Sequence, residues 1–136
     1  MEVFLGREAY EEIKALSLLW GEMPCDGFLL GHSRGPMVFI EKTWPARKGF
    51  FTGPAAYWQL EPAFAGRIVG FFSYKPEKGR PAKLLQPLAC GKVYLKVNRS
   101  QKNSLHLKCF FIEFDGRFHL ASCPLRIERQ GINEST

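Results

Sequence analysis

A polar tripeptide, Ser73-Tyr74-Lys75, follows a run of apolar residues in the middle of the chain. A serine beside a desolvated lysine can act as a nucleophile with its general base. At positions i and i+2 on the end of a strand, however, this pairing usually arises by coincidence, so we do not predict a catalytic dyad. We expect these three residues to form a binding site at the exit of a buried strand.

More basic residues follow the tripeptide within one short loop and the turn after it. They are Lys78, Arg80 and Lys83, and Pro76 ends the strand just ahead of them. We predict that they cluster with Lys75 on one exposed face, where an anion can settle.

Histidine and cysteine, the residues that most often bind metals, lack the spacing of a metal site. They are His32, His106, His119, Cys25, Cys90, Cys109 and Cys123, and no Cys-x-x-Cys pair is present. We therefore predict no metal and no cofactor. Most of the cysteines are expected to be core thiols, because a chain of this length does not need a disulfide framework.

The elements that position these residues follow from hydrophobic periodicity. Helices are predicted over 7–20 and 54–60, with at most a turn or two of helix over 82–88. Strands are predicted over 27–31, 37–44, 68–72, 93–97, 105–114 and 117–120. This order predicts an α+β fold, a mixed β-sheet with helices packed on it, in a single domain over residues 1–125. Residues 126–136 are predicted to form a frayed polar tail.

Charge is distributed unevenly along the chain. The net charge is +6, but residues 42–108 carry 13 Lys/Arg against two acidic residues, whereas the remainder is net negative. A basic surface of this kind can bind nucleic acid or an acidic partner. Because the basic residues are scattered singly, solvated strand faces and loop tips explain them at least as well. No window is apolar enough to span a membrane and the N-terminus is not a signal peptide, so we expect a soluble, cytoplasmic protein.

Two apolar segments, together with the acidic helix over 7–20, resemble the MPN/JAB family of JAMM-type metallopeptidases. The sequence Gly-Phe-Leu-Leu-Gly at 27–31 is similar to the family's Glu-x-x-Gly-x-Leu-x-Gly strand, and Ile-Val-Gly-Phe-Phe at 68–72 is similar to the strand before its metal loop. The resemblance implies an MPN/JAB-like, cytidine-deaminase-like sheet over residues 1 to about 120.

The family's catalytic positions are vacated in this sequence. The resemblance places the two zinc-binding histidines on Ser73 and Lys75, the zinc-binding aspartate near Pro87, the orienting serine near Leu84 and the general base near Pro24. A lysine ammonium opposes a metal's charge and proline offers no donor atom. The resemblance therefore implies a catalytically inactive domain without zinc.

Three functions remain open. The preferred one is a protein- or peptide-binding scaffold for a ubiquitin-like or acidic partner. This partner adds a strand to the sheet beside the central strand, 68–72. The alternative is a nucleic-acid binder that stacks bases on Tyr57, Trp58 and Tyr74. A JAMM-type peptidase with a rebuilt zinc site ranks below both, and the oligomeric state is left open.

Overall fold

The computed structural model describes residues 2–20, 25–46, 62, 66–74, 90–99 and 104–128. Its elements are β1 (Glu2–Leu5), α1 (Arg7–Trp20), β2 (Cys25–Arg34), β3 (Met37–Ala46), β4 (Ile68–Tyr74), β5 (Val93–Arg99), β6 (Leu105–Phe114), β7 (Phe118–Ser122) and β8 (Leu125–Ile127). No helix among these residues is long and apolar enough to cross a membrane.

The fold class is mostly β, so the predicted α+β, MPN/JAB-like fold with helices packed on a sheet is wrong. Strands make up 65% of the described residues and form one sheet of eight strands. The error has a physical cause, because β1 and β8 hold only four and three residues and show too little periodicity to be recognised. The helices predicted over 54–60 and 82–88 lie outside the described residues.

The sheet curls into a half-barrel, as its strand order requires. The order is β7-β6-β5-β4-β2-β3-β1-β8, which puts β7 and β8 at opposite ends. In a flat sheet they would lie more than about 30 Å apart, since neighbouring strands are about 4.8 Å apart. Only Cys123 and Pro124 join them, and three residue steps span at most about 11 Å. The two ends of the sheet must therefore approach each other.

Helix α1 packs on one face of this sheet, which we call the inner face. The predicted helix over 7–20 is confirmed, and Ala9 and Ile13 are buried in the core with Val3 and Leu5 of β1. Its first turn is capped, because Glu128 Oε1 accepts a hydrogen bond from the backbone N–H of Arg7 at 3.0 Å. Glu128 directly follows β8, so the helix start is tied to the last described strand.

The opposite face, the outer face, also contributes to the core. Phe28, Phe71, Tyr94 and Ile112 are all fully buried but do not belong to the cluster around α1. The rings of Phe28 and Phe71 pack on each other, with their centroids 5.7 Å apart. The centre of the sheet is therefore buried on both faces.

Glu12 links α1 to β3 through side-chain hydrogen bonds. We expect Glu12→Ala to lower the free energy of unfolding by about 1–3 kcal/mol. Its Oε1 accepts hydrogen bonds from Thr43 N at 2.7 Å and Thr43 Oγ1 at 2.9 Å, and Thr43 is buried. Alanine leaves both donors without this acceptor, whereas Glu12→Gln retains an oxygen and should cost less. Urea denaturation measures the difference. Equal losses for Glu12→Ala and for Glu11→Ala, at an exposed neighbouring position, would contradict this role.

Candidate functional site

Strand β4 lies at the centre of the sheet, as predicted for the run 68–72. It pairs antiparallel with β2 and parallel with β5, and all seven of its residues are buried. From Gly70 to Tyr74 both of its edges are hydrogen-bonded to neighbouring strands. The expectation that a peptide adds a strand beside β4 is therefore wrong, because no edge is open there.

The exit of β4 holds two of the predicted site residues, Ser73 and Tyr74. Tyr74 is 2% exposed, and its hydroxyl donates to the Ser17 carbonyl of α1 at 3.4 Å. Its ring therefore packs under the helix and is not available to stack on a base. Ser73 is 1% exposed and, by strand alternation, points to the outer face.

The structure does not test the remaining predicted site residues. Lying outside the described part of the chain are Pro24, Lys75, Lys78, Arg80, Lys83, Leu84 and Pro87, together with the stacking candidates Tyr57 and Trp58. The predicted basic cluster around Lys75 stays a prediction.

Ser73 belongs to a row of polar residues that crosses four strands. It is in register with Asp26 of β2 on one side and with Lys96 of β5 on the other, and Lys96 is in register with Lys108 of β6. Residues in register share a face of the sheet, so Asp26, Ser73, Lys96 and Lys108 form one polar row on the outer face. Exposure is lowest at buried Ser73 and increases through half-buried Lys96 to exposed Lys108.

Sequence reasoning missed the basic half of the polar row. Lys96 and Lys108 lie 23 and 35 positions after Ser73, and only the pairing register brings them beside it. The available signal was the alternation of Lys92, Tyr94 and Lys96 with apolar residues, which shows that Lys96 points away from the inner face.

The chemistry of the polar row favours binding over catalysis. A serine between an aspartate and a lysine contains the groups for nucleophilic attack, but the Ser73 hydroxyl is enclosed and a substrate cannot reach it in this conformation. No group of three or more His, Cys, Asp or Glu residues that could hold a metal is found in the described ranges. Lys96 and Lys108 are accessible, and together they can attract an anion.

Aromatic side chains extend the two lysines along the outer face of β6 and β7. Phe110 stacks on Tyr94 with centroids 6.2 Å apart, and Phe114, 57% exposed, contacts Phe118 with centroids 4.8 Å apart. We call this region the basic-aromatic surface, made of Lys96, His106, Lys108, Phe110, Phe114 and Phe118. Among the described residues of β5, β6 and β7, no acidic side chain lies on this face.

A second site is a cavity of about 320 Å³ beside a bulge in β2, lined by Gly31, His32, Arg67 and Lys92 among others. The charged side chains at this cavity largely pair with one another. Glu41 Oε1 lies 3.4 Å from His32 Nδ1 and 3.1 Å from Arg67 Nη2, and hydrogen bonds from these groups lower the pKa of the Glu41 carboxyl. Lys92 Nζ donates to the Ile68 carbonyl at 2.8 Å. The basic-aromatic surface is therefore the stronger binding candidate.

Comparison with known proteins supports the fold and gives no information about activity. No protein-family model matches the chain, and no curated protein matches it. The chain is similar to the solution structure of protein DSY2949 from Desulfitobacterium hafniense, with a TM-score of 0.64, 17% sequence identity and coverage of 94% of this chain and 95% of that one. At this identity the likeness shows the fold alone.

Proposed function

We propose that this chain is a non-catalytic binding domain that holds an extended, acidic segment of a partner protein on the basic-aromatic surface. The observation that carries the proposal is the direct cross-strand pair of Lys96 and Lys108. Like charges opposite each other destabilise a sheet. An acidic partner reduces that cost by bringing carboxylates near the two ammonium groups.

The aromatic part of the surface supplies the apolar contact that such a partner needs. Phe114 is 57% exposed and lies against Phe118 at the end of the β6–β7 hairpin. Aromatic anchors near basic groups commonly dominate the affinity of an interface. A segment that alternates acidic and apolar residues matches this combination.

Strand β7 gives the partner a backbone to pair with. In the described part of the chain β7 pairs with β6 on one side only, and its sequence, Phe-His-Leu-Ala-Ser, holds neither proline nor lysine to block strand addition. An extended segment along β7 places every second side chain on the outer face. This edge favours a peptide over a nucleic acid, because a nucleic acid has no peptide backbone that can form the hydrogen bonds of an added strand.

The proposal does not depend on the MPN/JAB-like fold. The ubiquitin-like partner implied by the resemblance stays a prediction, because the surface argues for acidity alone. The cytoplasmic location expected from the sequence is part of the proposal.

Fluorescence anisotropy with a labelled alternating Glu-Leu peptide tests this function. We expect Lys96→Glu/Lys108→Glu to weaken binding roughly 10–100-fold, because two attractions become repulsions. The matched control is Lys14→Glu/Arg34→Glu, which makes the same change in net charge away from the surface and should bind as the unchanged protein does. Equal affinity of the two double variants would contradict the proposal.

A single-stranded oligonucleotide in the same assay separates the alternative. If it binds with a steep dependence on salt while the Glu-Leu peptide does not bind, the surface is a nucleic-acid interface and the peptide proposal is wrong.

A further inference from the structure

Two cysteines, far apart in sequence, lie in contact at the end of the β6–β7 pairing. The Sγ atoms of Cys109 and Cys123 are 3.1 Å apart, and the backbone N–H of Cys123 donates to the Cys109 carbonyl at 3.1 Å. This bond continues the register that ends at Phe110 opposite Ser122. Both thiols are free, and Cys109 is buried whereas Cys123 is half-buried.

Their position in the fold is the seam, the short connection between β7 and β8 that joins the two end strands of the curled sheet. Cys123 follows the last residue of β7, and Pro124, which precedes β8, accepts a hydrogen bond from Val3 N of β1 at 3.0 Å. Cys123 thus sits where the chain leaves β6 and reaches β1. A covalent bond to Cys109 would hold the start of β8 beside β6.

We propose that Cys109 and Cys123 form a reversible disulfide that fastens this seam. The sulfurs must approach from 3.1 Å to about 2.05 Å, a shift that small rotations of the two side chains can supply. The proposal stands apart from the function of the basic-aromatic surface.

The oxidant is a small-molecule disulfide, such as oxidised glutathione. The half-buried Cys123, as thiolate, attacks one sulfur of the oxidant, so that a mixed disulfide forms and one reduced thiol leaves. The Cys109 thiolate then attacks the Cys123 sulfur and releases the second reduced thiol. The two cysteines lose two electrons and two protons, and the oxidant gains both. A small dithiol reverses the reaction.

The environment of the pair predicts slow formation near neutral pH. Burial raises the pKa of the Cys109 thiol and also that of the Cys123 thiol. Since only the thiolate attacks, the rate of closure should increase as pH rises toward these pKa values.

The test treats the full chain with oxidised glutathione at mildly alkaline pH and maps the products by mass spectrometry. We expect a linked pair of peptides containing Cys109 and Cys123, while the exposed Cys90 carries a glutathione adduct. In Cys109→Ser the second attack is impossible, so Cys123 should keep its adduct. If Cys109 and Cys123 both stay reduced under conditions that fully modify Cys90, the proposal is wrong.

Thermal unfolding tests the fastening of the seam. In a Cys90→Ser background, which excludes links between molecules through that thiol, the oxidised protein should unfold about 5–10 °C above the reduced protein. Cys123→Ser in the same background should show no difference between the two treatments. A disulfide that forms without raising the melting temperature would overturn the role assigned to it.

Discussion

Replacing Phe71 with alanine should lower the free energy of unfolding by about 3–5 kcal/mol, as is typical of a fully buried phenylalanine. Phe71 has no exposed surface and lies on the outer face of the central strand, against Phe28 and in register with Tyr94. The neighbouring strands are held by hydrogen bonds on both sides of β4, so they cannot collapse into the space that the ring leaves. Urea denaturation followed by circular dichroism measures the loss.

Phe114→Ala is the matched control, because it removes the same side chain from the same face of the sheet. Phe114 is 57% exposed, so its loss should change stability by no more than about 0.5 kcal/mol. It should weaken binding of the Glu-Leu peptide, whereas Phe71 is fully buried and cannot be reached by the peptide. Similar stability losses for the two variants would mean that the outer face is not buried at its centre as described.

The contrast between these two phenylalanines shows what the sequence can predict. Strand 68–72 was predicted as buried because it is uniformly apolar, and the helix over 7–20 because its apolar residues recur with the helical period. Both are confirmed. The strands predicted over 27–31 and 37–44 are confirmed too, although β2 extends to Arg34 and leaves only Gly35 and Pro36 in the turn.

The fold class was mispredicted because it depends on long-range pairing. Val3 and Leu5 of β1 pair parallel with β3, and Leu125 and Ile127 of β8 pair with β1 across more than 100 residues. Strands this short carry no clear periodicity, and their partners cannot be inferred from local residue types. Without β1 and β8 the curl of the sheet cannot be inferred, and the order of the remaining predicted elements indicated an α+β fold instead.

The candidate site was only partly predictable for the same reason. Ser73 was recognised from its position after an apolar run, but its neighbours Lys96 and Lys108 depend on the register of three strands. Cys109 and Cys123 are 14 positions apart, a spacing that indicates no known site, and the antiparallel register brings them together. Local residue patterns thus predict individual helices and strands, whereas the pairing register of the strands determines which side chains come together in a site.

The pairing register also explains why position 70 has no room for a side chain. Replacing Gly70 with alanine should lower the free energy of unfolding by at least about 3 kcal/mol. Gly70 is in register with Val93, where the pairing of β4 with β5 begins. A Cβ atom at this position would overlap the Val93 carbonyl oxygen and lie 2.9 Å from its carbonyl carbon. Backbone atoms cannot rotate away as a side chain can, so β4 and β5 must separate.

Gly35→Ala provides the comparison for Gly70→Ala. Gly35 lies in the β2–β3 turn with φ of 60°, and nothing approaches within 4 Å of an added Cβ. Its substitution should cost only the strain of a left-handed conformation, about 1–2 kcal/mol. Because Ser73 and Lys96 occupy the same pair of strands, Gly70→Ala should also weaken peptide binding under conditions where the variant remains folded, and Gly35→Ala should not. If Gly70→Ala proves no more destabilising than Gly35→Ala, β4 and β5 do not pack as closely as described, and the register that aligns the polar row is wrong.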